Sequence, residues 1–327
     1  MRGLPVEQIR FGRTEAKVSA VSLGTWSHGG PNLAGTRSVG WSGGDPAAER
    51  ASLLAAYEAG ITHWDTADVY GDGRSEALIG EVLRELPRDA VFLATKTGWD
   101  PGPYEHAYHP RQVASQLEGS LRRLGVEQID LYYLHHCDFG PGARHLDGAL
   151  EVLARAREAG KFRHLGLSDW DARKIVEHLP RVDPDVVQPY GNVVTDGYRQ
   201  SGLAALVAER DLGVAFFSPL RHGLLLGKYD APRRFDAGDY RANDPWFADA
   251  DVLARLRDHR DAVAALVDGP EPVLRGLVGA LLTESPSACV LLGQRNPAQV
   301  AAAAAAAAPL EPQLARRIWE LYADLRS

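Results

Sequence analysis

Eight short runs rich in β-branched and aromatic residues recur along this chain of 327 residues, with helical segments between them. No other feature constrains the fold as much, because strands that alternate with helices form a parallel sheet covered on its faces. The runs are "VSAVSLGT" (18–25), "THWDT" (62–66), "AVFLATK" (90–96), "DLYYLH" (130–135), "RHLGLS" (163–168), "DVVQP" (185–189), "GVAFFS" (213–218) and "ACVLLG" (288–293). Between them lie helical patterns such as "PAAERASLLAAYEAG", "RSEALIGEVLREL", "PRQVASQLEGSLRRLG", "GALEVLARAREAG" and "SGLAALVAERD", several bounded by Gly or Pro. Eight βα units in a chain of this length predict an α/β fold, a (β/α)8 TIM barrel forming a single domain over residues 1–327.

Three segments fall outside the eightfold count. "IRFGRTEAKVSA" predicts an N-terminal β-hairpin around "GRTEA", a plug for the barrel floor. The stretch from Arg221 to about Ala250 is too long for an ordinary connection and reads as a functional loop. "PLEPQLARRIWELYADLR" predicts an extra C-terminal amphipathic helix, and the alanine tract Ala301–Ala308 a helix of high propensity without chemistry.

Bulk properties narrow the function. An apolar fraction of 45% excludes disorder, and a net charge of -7 argues against a nucleic-acid partner. Cys137 and Cys289 are too few for a disulfide framework and suit a reducing cytosol. The start "MRGLPVEQIRFG" lacks a signal-peptide core and no stretch approaches a membrane span, so the expected location is the cytoplasm.

In such a barrel the C-terminal strand ends build the active site. Read in order, those ends carry Asp65 with Tyr70 five residues on, in "DTADVYG", then Lys96 in "LATKTG", then His135 in "YYLHHCD". Each alone reads as a packing or surface residue; together, at the ends of consecutive strands, they predict one site. A free phenol, with a pKa of about 10, is a reluctant acid near neutral pH. Lys96 is expected to depress that pKa, and Asp65 to hold the ammonium by a charge-assisted hydrogen bond. His135 would orient a carbonyl oxygen, so that the set stabilises charge developing there as a hydride reaches the carbon.

With those residues in view, the sequence resembles the aldo-keto reductases, barrel enzymes that reduce carbonyls with NADPH. The resemblance covers nearly the whole chain. "DTADVYGDGRSE" matches the family's Asp and Tyr motif, "FLATKTG" its lysine strand and "DLYYLHH" its histidine strand. By that similarity Asp65, Tyr70, Lys96 and His135 are the catalytic tetrad. No Rossmann G-x-G-x-x-G stands between a strand and a helix, and "LLLGKYD" lacks the spacing of a P-loop, so the barrel itself must hold the dinucleotide.

The resemblance also implies where the cofactor lies. Thr25 and Trp26, at the end of the first strand, belong to that set. "GKFRHLGLSDW" is similar to the fifth-strand motif, in which Ser168 and its neighbour hold the carboxamide together with Gln188. Asp169 stands where the family commonly has Asn, and a carboxylate cannot donate to an amide carbonyl. In "FFSPLRHGLLLGKY" Phe217 is the stacking ring, where many relatives use Tyr or Trp; Ser218 and Leu220 give backbone contacts and Lys228 a charge for phosphate. "LLGQRNPAQV" matches the segment that receives the 2′-phosphate, through Arg295 and Gln299. The acidic and Asn residues that often follow are Ala302 and Ala303 here, which weakens the adenine contacts. The guanidinium fork of Arg295 favours NADPH over NADH.

The expected substrate is a small carbonyl compound, an aldehyde, ketone or sugar-like molecule, in a pocket walled by Trp26 with "SHGGPNLAGTRSVGWSGGD", by "GWDPGPYEHAYHP", by "HCDFGPGARH" and by the loop holding Trp246. His106, His109 and Glu105 fall short of a metal motif, and no metal is expected. Three alternatives stay open: the oxidative direction, as in sugar dehydrogenases of the family; a nicotinamide-sensing regulatory subunit; and a Schiff-base aldolase using Lys96, which Asp65 would oppose by keeping the amine charged.

Overall fold

A computed structural model describes residues 6–34 and 36–326; the first five residues, and with them part of the N-terminal stretch read for a leader, lie outside the described residues. Eight parallel strands close into a barrel in chain order: β1 (Val21–Gly24), β2 (His63–Asp65), β3 (Phe92–Thr97), β4 (Ile129–Leu134), β5 (Phe162–Asp169), β6 (Val186–Pro189), β7 (Gly213–Phe216) and β8 (Ala288–Gly293). β8 pairs back onto β1. The run 18–25 divides: Lys17–Ser19 belongs to the N-terminal hairpin, where it pairs antiparallel with Gln8–Arg10, and only Val21–Gly24 enters the barrel.

Side chains alternate between the two sides of the barrel wall. On β4, Leu131 and Tyr133 point inward with Ala94, Val186, Ala215, Cys289 and Leu291, while Tyr132 and Leu134 pack against the helices. Gly166 is dictated by the ring of Tyr133, since a Cβ there would lie 2.1 Å from it.

The hairpin seals the floor. Phe11 is fully buried between His63 and Phe92, with ring centroids 5.4 and 6.0 Å away. Gly12 follows at φ +57°, and a Cβ would meet the nitrogen of Gly213 at 2.3 Å, so only glycine fits. Arg10 pairs with Asp211 at 2.6 Å and Arg13 with Asp183 at 2.9 Å, tying the plug to the segments before β7 and β6.

The outer layer runs α1 (Pro46–Glu58), α2 (Arg74–Leu83), α3 (Pro110–Leu124), α4 (Leu146–Glu158), α5 (Ala172–Val182), α6 (Gly197–Gln200), α7 (Leu203–Arg210), α8 (Ala250–Leu266), α9 (Pro272–Leu282), α10 (Pro297–Ala305) and α11 (Pro312–Leu321). Starts are set by capping side chains: Asp45 accepts from Ala47 and Ala48, and Asp249 from Asp251 and Val252. α11 packs on α8 and α9 as a closing helix, and the alanine tract supplies the end of α10. α5 carries Pro180 in its last turn. No helix among the described residues is long and apolar enough to cross a membrane.

The long segment after β7 folds into short 3-10 turns at Arg221–Leu226, Tyr240–Asn243 and Pro245–Ala248. It forms a strap stitched to the loop after β1. Tyr240 N donates to Gly40 O at 2.9 Å, Asn32 N to Gly238 O at 3.0 Å, and Ser42 N to Asp239 Oδ2 at 3.0 Å.

Candidate active site

Parallel register aligns the C-terminal ends of β2, β3 and β4, and that alone brings three of the expected groups together. Lys96 Nζ donates to Asp65 Oδ1 at 2.5 Å, to the carbonyl of Thr66 at 2.7 Å and to Tyr70 Oη at 3.3 Å. His135, anchored by its backbone N on Thr97 O at 2.9 Å, sets its ring perpendicular to Tyr70 with centroids 5.9 Å apart.

Tyr70 comes from a turn rather than a strand, so something must hold that turn. Asp68 N donates to Lys96 O at 3.3 Å and Ser75 N to Tyr70 O at 3.2 Å. The Ser-Glu pair that follows is the fastening: Ser75 Oγ bonds Thr25 Oγ1 at 2.8 Å, while Glu76 accepts from Thr95 Oγ1 and from Arg123 Nε, both at 2.6 Å. Gly71 lies so close to Gly29 that a Cβ would sit 2.1 Å from its carbonyl oxygen.

The electrostatics depart from expectation on one point. Lys96 does act to lower the Tyr70 pKa, but burial, aided by the Asp65 charge, outweighs it, and the phenol stays above its ordinary value. Burial also acts to lower the Lys96 pKa, yet the carboxylate and phenol beside it hold the ammonium above the usual lysine value. His135 is pushed well below 6.5 by burial first and Lys96 second, so its imidazole is neutral at neutral pH. Burial likewise raises the Asp65 pKa, against the pull of Lys96 and Gln188.

The residues assigned to a cofactor divide into two groups. Several have their polar atoms engaged within the protein. Thr25 Oγ1 donates to Asp65 O at 2.9 Å, Ser168 Oγ to Gln188 O at 2.9 Å, and Gln188 Nε2 to Asp65 Oδ2 at 2.9 Å. Asp169 accepts from Cys137 N at 2.7 Å and Asp171 N at 2.8 Å, the use a carboxylate finds where an amide is usual. The others follow β7 and β8, toward the strap. Phe217 follows β7 and is partly open; Ser218 takes a left-handed φ of +54°, and Leu220 is half-buried. Arg295 Nη1 donates to Ser42 O and Gly43 O at 3.0 Å, and Gln299 Oε1 accepts from Arg295 N at 2.8 Å.

The charges on this side suit an anionic dinucleotide. Lys228, Arg241 and Arg295 lie within one another's field: the Lys228 pKa is drawn down by burial first, then by Arg295 and Arg241. Of the three, only Arg241 is paired with a carboxylate among the described residues, Asp239, through 2.8 and 2.5 Å hydrogen bonds. Such a concentration of positive charge favours bound phosphate.

Aromatic side chains cover the mouth. Trp26 stacks over Tyr70 at 6.2 Å and donates from Nε1 to Val39 O at 2.9 Å. Tyr240 on the strap sits 4.8 Å from Trp26, 5.8 Å from Trp170 and 4.8 Å from His222, bridging the walls above β1 and β5. Trp246 instead lies beneath the Arg221 guanidinium, 3.7 Å from its centroid. Trp170, Tyr190, His222, Tyr240 and Arg241 were not singled out from the sequence; His222, Tyr240 and Arg241 fall in the loop holding Trp246 and Trp170 ends the fifth-strand motif, whereas Tyr190 lies in none of the quoted stretches. Among the described residues no group of three or more His, Cys, Asp or Glu is set to hold a metal.

Comparison with known proteins bears on this arrangement. A model of the aldo/keto reductase family matches residues 20–322. The chain is 30% identical over 262 residues to an NADH-specific methylglyoxal reductase of Escherichia coli, covering 76% of this chain and 77% of that protein. It is 30% identical over 245 residues to a probable voltage-gated potassium channel subunit beta of Oryza sativa, covering 71% and 70%. The solved glycerol dehydrogenase of Gluconobacter oxydans superposes with a TM-score of 0.77 at 26% identity, over 96% of this chain and 94% of that one.

Proposed function

The chain belongs to the aldo/keto reductase family and is an oxidoreductase of that type; we propose that it reduces an aldehyde or ketone to an alcohol with NADPH, Tyr70 serving as the acid. The observation that carries this reading is the contact set of Lys96, 2.5 Å from Asp65 and 3.3 Å from Tyr70 at the barrel mouth.

When bound, the reduced nicotinamide supplies the hydride. Phe217, Ser168, Gln188, Ser218 and Leu220 would seat the nicotinamide end, and Lys228, Arg295 and Gln299 the phosphates. Tyr70 donates its proton to the carbonyl oxygen as negative charge develops there. The phenolate left behind lies beside the Lys96 ammonium, which Asp65 holds in place. His135, neutral because burial disfavours its charge, directs an N–H to the same oxygen. Loss of a proton from a buried phenol is unfavourable without such a neighbour, which gives the lysine its purpose.

Preference for NADPH rests on Arg295, against which stands the NADH specificity of the methylglyoxal reductase. Oxidation of an alcohol by the same groups, with Tyr70 as base, is the reading supported by the likeness to a glycerol dehydrogenase. A nicotinamide-binding regulatory subunit is supported by the channel-subunit relative. We take residues 1–327 as one barrel domain, and the buried, unpaired Cys137 and Cys289 support a reducing cytoplasm.

The test is Tyr70→Phe. We expect NADPH binding to persist, by fluorescence titration, while turnover across a panel of aldehydes and ketones falls by about 10³-fold or more. Undiminished turnover would remove the proposed acid, and an unmodified protein that binds NADPH yet reduces nothing would favour the regulatory reading.

A further inference from the structure

The loops after β3, β4, β5 and β6 line an open cavity of about 1050 Å³ beside the tetrad, and none of Asp65, Tyr70, Lys96 and His135 lines it. Its inner wall is aromatic. Trp99 stands perpendicular to His135 with ring centroids 5.9 Å apart, and Trp170 perpendicular to Phe217 at 4.8 Å, so one indole borders the tetrad, the other borders the ring assigned to the nicotinamide, and both line the cavity.

These indoles are 48% and 39% exposed, and no other tryptophan among the described residues is exposed. Open indole faces in a concave site mark a binding surface. Among the remaining lining residues, Glu105, Asp138, Thr195, Asp196 and Gln200 offer acceptors and hydroxyls. Arg173 is already committed to Asp171 through two hydrogen bonds of 3.0 Å, which leaves Lys174 as the one lining Lys or Arg without such a carboxylate partner among the described residues. A lining with more carboxylates than free cations repels a phosphate ester. It suits neutral hydroxyls, whose O–H groups donate to the carboxylates while the C–H face of a sugar ring lies on an indole.

We infer that this cavity is a distal subsite of the reductase site and takes the neutral glycosyl ring of a carbonyl substrate whose reacting carbon lies at Tyr70. The inference rests on the reductase reading above. Its volume stands at the upper end of the roughly 300–1,000 Å³ usual for sites that enclose a ligand of drug size, and a three-carbon aldehyde would leave it empty.

Three aldehydes with the same reacting end provide the test: glycolaldehyde, its β-D-glucoside and its cyclohexyl ether, each assayed with NADPH and the full chain. The glucoside is expected to show a kcat/KM about tenfold above glycolaldehyde and about threefold above the cyclohexyl ether. Gln200→Trp, which fills the cavity from its exposed far wall, is expected to shrink the first ratio below about twofold. A glucoside no better than glycolaldehyde, a ratio untouched by Gln200→Trp, or an equal preference for the cyclohexyl ether overturns the inference. If no aldehyde is reduced with NADPH or NADH, the reductase reading fails, and calorimetric titration with methyl β-D-glucopyranoside decides the subsite separately. Saturable binding, weakened about fivefold or more by Trp99→Ala, sustains the sugar site; absence of binding overturns it.

Discussion

Gln188 on β6 donates its side-chain amide to Asp65 Oδ2 on β2 at 2.9 Å, across the full width of the barrel. Asp65 is therefore held from two sides, by Lys96 on one oxygen and Gln188 on the other. Gln188→Ala removes a hydrogen bond to a buried charge, and the expected loss is about 1.5–3 kcal/mol of stability with a fall in kcat of about tenfold. Urea denaturation and steady-state kinetics check both. A variant that only raises the NADPH Kd would assign Gln188 to the cofactor alone.

The Asp65 and Lys96 side chains are 4% and 1% exposed, so removing one leaves the other uncompensated. Lys96→Met and Asp65→Asn are each expected to cost about 3–5 kcal/mol and to abolish turnover. The double variant Asp65→Asn with Lys96→Met should recover most of the stability and none of the activity. Simple addition of the two single losses in urea denaturation would mean that the pair does not act as a unit.

His63 lies above the floor plug, Nδ1 3.3 Å from Cys289 Sγ and Nε2 without a partner among the described residues. Burial first, then Lys96, pushes its pKa from 6.5 to about 3. A histidine depressed on folding gives its full contribution above the unfolded pKa and loses it as pH falls below, because the unfolded state takes up the proton first. Between pH 7 and pH 5 that loss is about 2 kcal/mol. His63→Phe should lose about 2 kcal/mol less stability than the parent over the same interval; an identical loss would show that His63 is not a titrating contributor.

Arg295 offers the test of cofactor choice. Nη1 is engaged by Ser42 and Gly43, leaving the rest of the guanidinium for a ligand. Arg295→Ala is expected to raise the NADPH Kd by about 10–100-fold and that of NADH by less than about threefold, the loss of a charge-assisted hydrogen bond specific to the 2′-phosphate. Equal weakening of both dinucleotides would show that Arg295 does not read that phosphate.

The barrel was legible because each strand run carries its own period and punctuation, and strand ends fix which residues meet: Asp65, Lys96 and His135 follow from register alone. Tyr70 was legible only through its motif, since its position depends on Ser75, Glu76 and Arg123 securing a turn. The net effect on its pKa was not, because Lys96 could be read from the sequence whereas the depth of burial that outweighs it is a property of the packed site. Tyr240 and His222 escaped for a related reason. They sit in a segment without periodicity whose path is set by hydrogen bonds to residues about 200 positions earlier, such as Ser42 with Asp239.

The seam between β8 and β1 joins Val290 to Val21, so the ring cannot shut until β8 has left the ribosome. Until then β1 has an unpaired backbone edge, although the plug's own anchors, Asp183 and Asp211, precede β8 in the chain. Nascent chains arrested before Gly293 should thus be more aggregation-prone than chains released beyond it.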